Sequence, residues 1–168
     1  MKLAQLTVPA AAIAFGLAGC GGGGGSGAAT AGSGGYGSAQ SAGGASSGAT
    51  VVSVKASKLG KILVDPGGKT LYLFQADRRN ASACAGTCAT VWPPVTTSGR
   101  PKVGTGLAGA QLGTIKRKDG LRQVTVNGHP LYRYVSDMKP GDTTGQGLDQ
   151  FGAAWYVLSP AGNKIDHG

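Results

Sequence analysis

The chain contains no glutamate, and its seven acidic residues are all aspartate. Any paired-carboxylate chemistry would rest on Asp alone, and nothing in the Asp spacing points to such a pair. Histidine is scarce: only His129 and His167 occur, the second in the tail. No Ser or Cys nucleophile has a matching His base, and there is neither a Gly-x-Ser-x-Gly elbow nor a phosphate-binding glycine loop. These absences weigh against an enzyme, and no cofactor is expected. Long apolar runs are missing too. The uncharged stretch Leu6 to Ala18 is shorter than the roughly 20 residues needed to cross a bilayer. No nucleic-acid module is recognisable, so nucleic acid is not an expected partner.

Lys2, the short apolar run and the small residues at its end describe a secretory signal. Leu17-Ala18-Gly19-Cys20 resembles the bacterial lipobox, in which cleavage precedes a diacylated Cys. Residues 1–19 are therefore predicted to be a lipoprotein signal peptide, with lipidation at Cys20. Two or three acyl chains, at roughly 0.8 kcal/mol per buried CH2, suffice for stable membrane anchoring on the extracytoplasmic side. Residues 20–50 are nearly all Gly, Ser and Ala, with Tyr36 as the one aromatic and no charge. Such a segment buries too little apolar surface to offset its ordering entropy and is predicted to be a disordered tether reaching about 30 Å.

The remaining 51–168 is expected to fold as one domain of ordinary size. Its formal charge is +8, the chain's +9 less Lys2. Outside a cell that surplus is attracted to anionic headgroups or acidic envelope polymers; the plainer alternative is a solvated surface on a monomer. With Cys20 lipidated, Cys84 and Cys88 remain as an even pair in an oxidising compartment, which predicts a disulfide around Ala85-Gly86-Thr87. A redox couple or soft-metal ligands are the alternative. Their spacing differs from thioredoxin-like motifs, and with His129 they fall short of zinc's four ligands, whereas copper accepts fewer.

The body contains one stretch twice. Shifted by sixty, Gly60, Val64, Gly68, Leu71, Tyr72 and Asp77 fall on Gly120, Val124, Gly128, Leu131, Tyr132 and Asp137. Repeat one spans about 51–97 and repeat two about 111–160. Each reads as three strands, at 51–55, 61–65 and 70–75, and at 111–115, 121–126 and 131–135. Turn signals separate the last two of each set, Asp65-Pro66-Gly67-Gly68 and Asn127-Gly128; the second is a strong hairpin signal. Pairing across it sets Val126 opposite His129, Val124 opposite Leu131 and Arg122 opposite Arg133. The matching face of repeat one is Ile62, Val64, Leu71 and Leu73. The other face carries Leu63, Tyr72 and Phe74, or Leu121, Tyr132 and Tyr134, two rings side by side in each. Fourth strands at 90–95 and 154–158 bring in Trp92 and Trp155. The expectation is an all-β fold of two pseudo-symmetric antiparallel units, about four strands each, packed as one domain.

Both copies carry Tyr-x-aromatic-x-x-Asp, as Tyr72-Leu73-Phe74-Gln75-Ala76-Asp77 and Tyr132-Arg133-Tyr134-Val135-Ser136-Asp137. Cys84-x-x-x-Cys88 precedes Trp92-Pro93-Pro94, and Gly128-His129-Pro130-Leu131-Tyr132 precedes Pro140-Gly141-Asp142. Together these resemble the bacterial secreted-repeat lipoproteins over roughly 59–160. The resemblance implies export and duplication, supplies no catalytic residues, and brings a family of unknown function.

Two readings of the motif stay open. Tyr72, Phe74 and Asp77, or Tyr132, Tyr134 and Asp137, offer ring faces and a carboxylate to a ligand. Alternatively the rings are core and each Asp accepts backbone N–H groups as a structural latch, which serves both copies equally. Asp137, Asp142 and Asp149 share one loop, but their spacing does not match a calcium loop of the EF-hand type. The expected function is that of an exported, lipid-anchored envelope protein with a non-enzymatic binding or structural role. The alternative is a redox or copper-handling lipoprotein using Cys84 and Cys88.

Overall fold

A computed structural model of the chain describes residues 48–107 and 109–166. The predicted signal peptide, Cys20, almost all of the tether and His167 lie outside these residues. Among the described residues the regular structure is almost all strand, with one short helix. Its elements are β1 (Val51–Ser57), β2 (Gly60–Val64), β3 (Tyr72–Phe74), α1 (Thr87–Val91), β4 (Lys102–Val103), β5 (Leu112–Lys116), β6 (Arg122–Val126), β7 (His129–Pro130), β8 (Asp149–Gln150) and β9 (Ala153–Val157). They form three three-stranded sheets, ordered β2-β1-β4, β3-β9-β8 and β5-β6-β7.

The turns follow local chemistry. Asn127 and Gly128 both have positive φ, 49° and 81°, as a two-residue hairpin requires. Val126 pairs with His129, and the Leu131 amide bonds the Val124 carbonyl at 3.0 Å. In repeat one the same turn is longer. Asp65 Oδ1 accepts the Gly67 and Lys69 amides, both at 2.9 Å, and Gly68 takes φ 76°.

The gapless shift of sixty conceals two compensating length changes. In repeat one β1 and β2 pair Val54 with Leu63; in repeat two β5 and β6 pair Thr114 with Val124. Thr114 lies sixty residues after Val54, but Val124 lies sixty-one after Leu63. The first turn of repeat two is one residue longer and the second one shorter, so the offset returns to sixty by Leu131. A one-residue slip moves a whole strand's side chains to the opposite face. Ile62 and Val64 therefore lie with Tyr72 and Phe74, while Leu63 joins Leu71 and Leu73. This corrects the expected faces of repeat one. In repeat two Val124, Val126 and Leu131 lie on one side and Tyr132 and Tyr134 on the other as expected, but Leu121 is exposed and joins neither core.

The fourth strands also differ from expectation. Residues 87–91 are helical, because the tight Cys84–Cys88 loop and small side chains favour a single turn of helix over extended chain. Only the following stretch, 93–97, is extended, and it leaves its own repeat. Val95 donates to Leu131 at 2.9 Å and accepts from Val124 at 2.8 Å. This insertion, with Arg133 bonding Pro93 and Thr97 bonding Arg122, keeps Arg122 from lying opposite Arg133. Reciprocally, β9 of repeat two pairs with β3 of repeat one, and Leu63 donates to Leu158 at 2.9 Å. Each repeat's last extended segment thus completes the other's hairpin. The pseudo-twofold passes through Tyr72 and Tyr132, whose amides and carbonyls bond each other at 2.9 and 3.0 Å.

Two cores result. One is aliphatic and is centred on Leu63, Leu71, Leu158 and their counterparts Val124, Leu131 and Val95. The other is aromatic, built on Tyr72, Phe74, Trp92, Tyr132 and Trp155 with the two cysteines. Both mix residues of the two repeats, so the hydrophobic surface of either half is covered by the other.

Candidate functional site

The duplicated motif lies at the centre of the aromatic core. Strand alternation sends Tyr72 and Phe74 to one side of β3, and the same parity after β7 sends Tyr132 and Tyr134 inward. Phe74, Trp155, Trp92 and Tyr134 form one continuous stack, with centroid separations of 4.1, 3.9 and 4.2 Å. Tyr72 meets Trp92 edge-on at 5.3 Å, and Tyr132 meets Trp155 edge-on at 5.1 Å. Aromatic pairs of this kind contribute about 0.5–1.5 kcal/mol each beyond area burial. Gly145 is required here: a Cβ on it would lie 2.6 Å from the Trp92 ring.

Beside the rings, each tyrosine hydroxyl crosses to the other repeat's aspartate. Tyr72 donates to Asp137 Oδ2 at 2.6 Å, and Tyr132 donates to Asp77 Oδ2 at 2.7 Å. The remaining oxygens accept backbone amides at the start of the next loop, Ala83 on Asp77 at 2.7 Å and Thr144 on Asp137 at 2.9 Å. The motif's three residues are therefore joined within and between copies, with every carboxylate oxygen engaged. Burial pushes both tyrosines far above the ordinary phenol range, and the facing Asp137 and Asp77 carboxylates push them further. Both stay protonated as donors.

The two aspartates are not equivalent. Asp137 is buried and also accepts the Thr144 hydroxyl at 2.6 Å. Asp77 is partly exposed and lines a cavity of about 480 Å3 with Phe74, His129 and Lys164. Burial raises the Asp77 carboxyl above its ordinary value, against the Ala83 amide, the Tyr132 hydroxyl and the Arg117 charge. His129, half-buried at the hairpin, is lowered by burial and then by Arg79.

Cys84 and Cys88 are joined in a disulfide and buried in the aromatic core. His129 lines a different cavity from Cys84. Among the described residues no group of three His, Cys, Asp or Glu side chains is gathered as metal ligands, and Asp137, Asp142 and Asp149 are not brought together. Sequence reasoning missed Arg117. Its guanidinium bonds Ser82, Gln123, the Cys84 carbonyl and Asp119 at 2.7–3.0 Å. Ser82 in turn lies 2.8 Å from the Tyr132 hydroxyl, which ties Arg117 to the motif. The available signal was parity: Arg117 is two residues after the buried Ile115 and points the same way.

The pattern of a family described as a secreted repeat of unknown function matches residues 53–96 and again 113–159. The chain belongs to that family. The first matched segment ends within the extended piece that crosses to the other half and the second ends two residues past β9, so one secreted repeat is one hairpin plus the strand it lends. No curated protein and no solved structure matches the chain.

Proposed function

We propose that this secreted-repeat protein is a lipid-anchored binding or structural module of the cell envelope, without enzymatic activity. One observation carries the reading. The groups that most resemble catalytic machinery, Tyr72, Asp137, Tyr132 and Asp77, are all engaged in bonds between the repeats. At the surface Lys and Arg outnumber Asp, a surplus suited to anionic polymers or headgroups. Lipidation at Cys20 would hold this domain on the extracytoplasmic face of the membrane by its Gly/Ser/Ala tether. The anchoring is tested with Cys20→Ser in membranes washed at high salt, which screens headgroup contacts; the variant should move to the soluble fraction, and retention after the wash refutes the anchor.

The redox or copper reading has less support, since Cys84 and Cys88 are buried and bonded to each other. Thiol titration of native protein separates the two. A pair inert to mild reductant fits the module; a readily reduced pair that takes up copper fits the alternative.

A further inference from the structure

An open cleft of about 560 Å3 lies between the disulfide loop and the β5–β6 turn. Lys116, Arg117, Lys118 and Asp119 form one wall, and small residues including Ala83 and Ala89 line the other. Three cations against one carboxylate leave an excess of two positive charges. A phosphomonoester carries about −1.5 to −2 near neutral pH, and two phosphodiester groups carry a similar total.

The acceptors on Arg117 differ in kind. Ser82, Gln123 and the Cys84 carbonyl hold the guanidinium from the protein side. Asp119 holds it through one 3.0 Å bond, and its side chain is 46% exposed. It is the one acceptor an incoming oxyanion can replace without dismantling the buried network. Lys116 and Lys118 are exposed and have no carboxylate partner among the described residues.

Repeat two has a cavity in the corresponding place, about 270 Å3, between Lys58 on the β1–β2 turn and residues 141–144. Sixty residues before Lys116 and Arg117 stand Ala56 and Ser57. The fold closes this turn without either cation; Arg117 also serves the buried network, whereas exposed Lys116, with no carboxylate partner among the described residues, is not accounted for by folding.

We propose that the cleft between residues 80–89 and 116–119 binds phosphate groups, with Asp119 acting as an internal competitor that the phosphate displaces from Arg117. The proposal rests on the domain being a binder, and is independent of the lipid anchor. The phosphate comes either from a soluble phosphorylated sugar or polymer, or from a lipid headgroup.

The test is an amide-resolved NMR titration of the full chain carrying Cys20→Ser, at constant ionic strength, with inorganic phosphate and with glycerol 3-phosphate. Shifts should concentrate at 82–86 and 116–119. Asp119→Asn should tighten binding about two- to five-fold, the range of an exposed ion pair. Lys116→Ala with Lys118→Ala should weaken it by about five-fold or more on the same scale, while Lys58→Ala leaves it unchanged. Flotation with phosphatidylglycerol vesicles assigns the source: binding that glycerol 3-phosphate competes away, and that the double lysine variant loses, points to a headgroup. Saturable glycerol 3-phosphate binding without flotation points to a soluble phosphate. Shifts spread equally over Lys55, Lys58 and Arg100, or an Asp119→Asn affinity equal to wild type, overturn the proposal. Either result leaves the membrane release of Cys20→Ser, and so the anchoring, untouched.

Discussion

Asp137→Asn exchanges one oxygen for an amino group and isolates the contribution of the crossed Tyr–Asp bonds. An amide at this position keeps both Thr144 bonds through its oxygen. Its amino group then faces the Tyr72 oxygen, which already accepts the Gly145 amide at 3.3 Å. The Tyr72 hydroxyl, fully buried, loses its acceptor. A lost hydrogen bond to a charged group, together with a stranded buried donor, amounts to about 3 kcal/mol. Asp77→Asn should be milder. Tyr132 sits 2.8 Å from Ser82 and can turn its proton there while accepting from the new amide. With this outlet and a partly exposed site, about 1 kcal/mol is expected. For a folded body of this size, 1 kcal/mol corresponds to about 4 °C. The expected losses in Tm are therefore about 12 °C for Asp137→Asn and about 4 °C for Asp77→Asn. Calorimetry or thermal circular dichroism at neutral pH measures both. Adding Tyr72→Phe to Asp137→Asn should cost little more, since the stranded hydroxyl is gone. Equal losses at the two aspartates, or none at either, would refute the reasoning.

Other outcomes follow from the same contacts. The Asp77 carboxyl is raised in the folded state, mainly by burial, from an ordinary value of 3.8. Its contribution to stability is therefore full below that value and is lost as pH rises through the raised one. Urea titrations across this window should show a falling component in wild type that Asp77→Asn lacks. Gly145→Ala should destabilise by about 1–3 kcal/mol through overpacking against Trp92, read from the urea midpoint. Replacing Cys84 and Cys88 by Ala should cost about 2 kcal/mol, the chain-entropy value for so short a loop. Fragments 48–107 and 109–168, each lacking the strand it borrows, should be unfolded alone and regain β-sheet circular dichroism when mixed.

The sequence carried much of this arrangement and concealed a definite part. The duplication, the Asn127-Gly128 hairpin and the shared face of Tyr72 and Phe74 were legible because turn chemistry and period-two alternation are local. The faces of Ile62 and Val64 were not. Two single-residue length changes of opposite sense cancel, and a gapless shift passes over both. The crossing of 93–97 was hidden for another reason: alternation shows that a segment pairs, but not with which of two similar hairpins. Helix α1 arose where a disulfide closes so few residues that β-propensity at Val91 has no strand to join. At the motif, the co-occurrence of Tyr and Asp in both copies was visible, but not the hydrogen bond between them. Its crossing from one copy to the other, and the recruitment of Arg117 out of a run of surface cations, depended on long-range packing.

The chain has only two tryptophans, one from each half, and they lie face to face at 3.9 Å with an interplanar angle of 4°. Indoles this close share their electronic excitation. The far-ultraviolet spectrum should therefore carry a paired positive and negative band that neither ring produces alone. That signal exists only while the two halves are seated together, giving an optical readout of their association that needs no label.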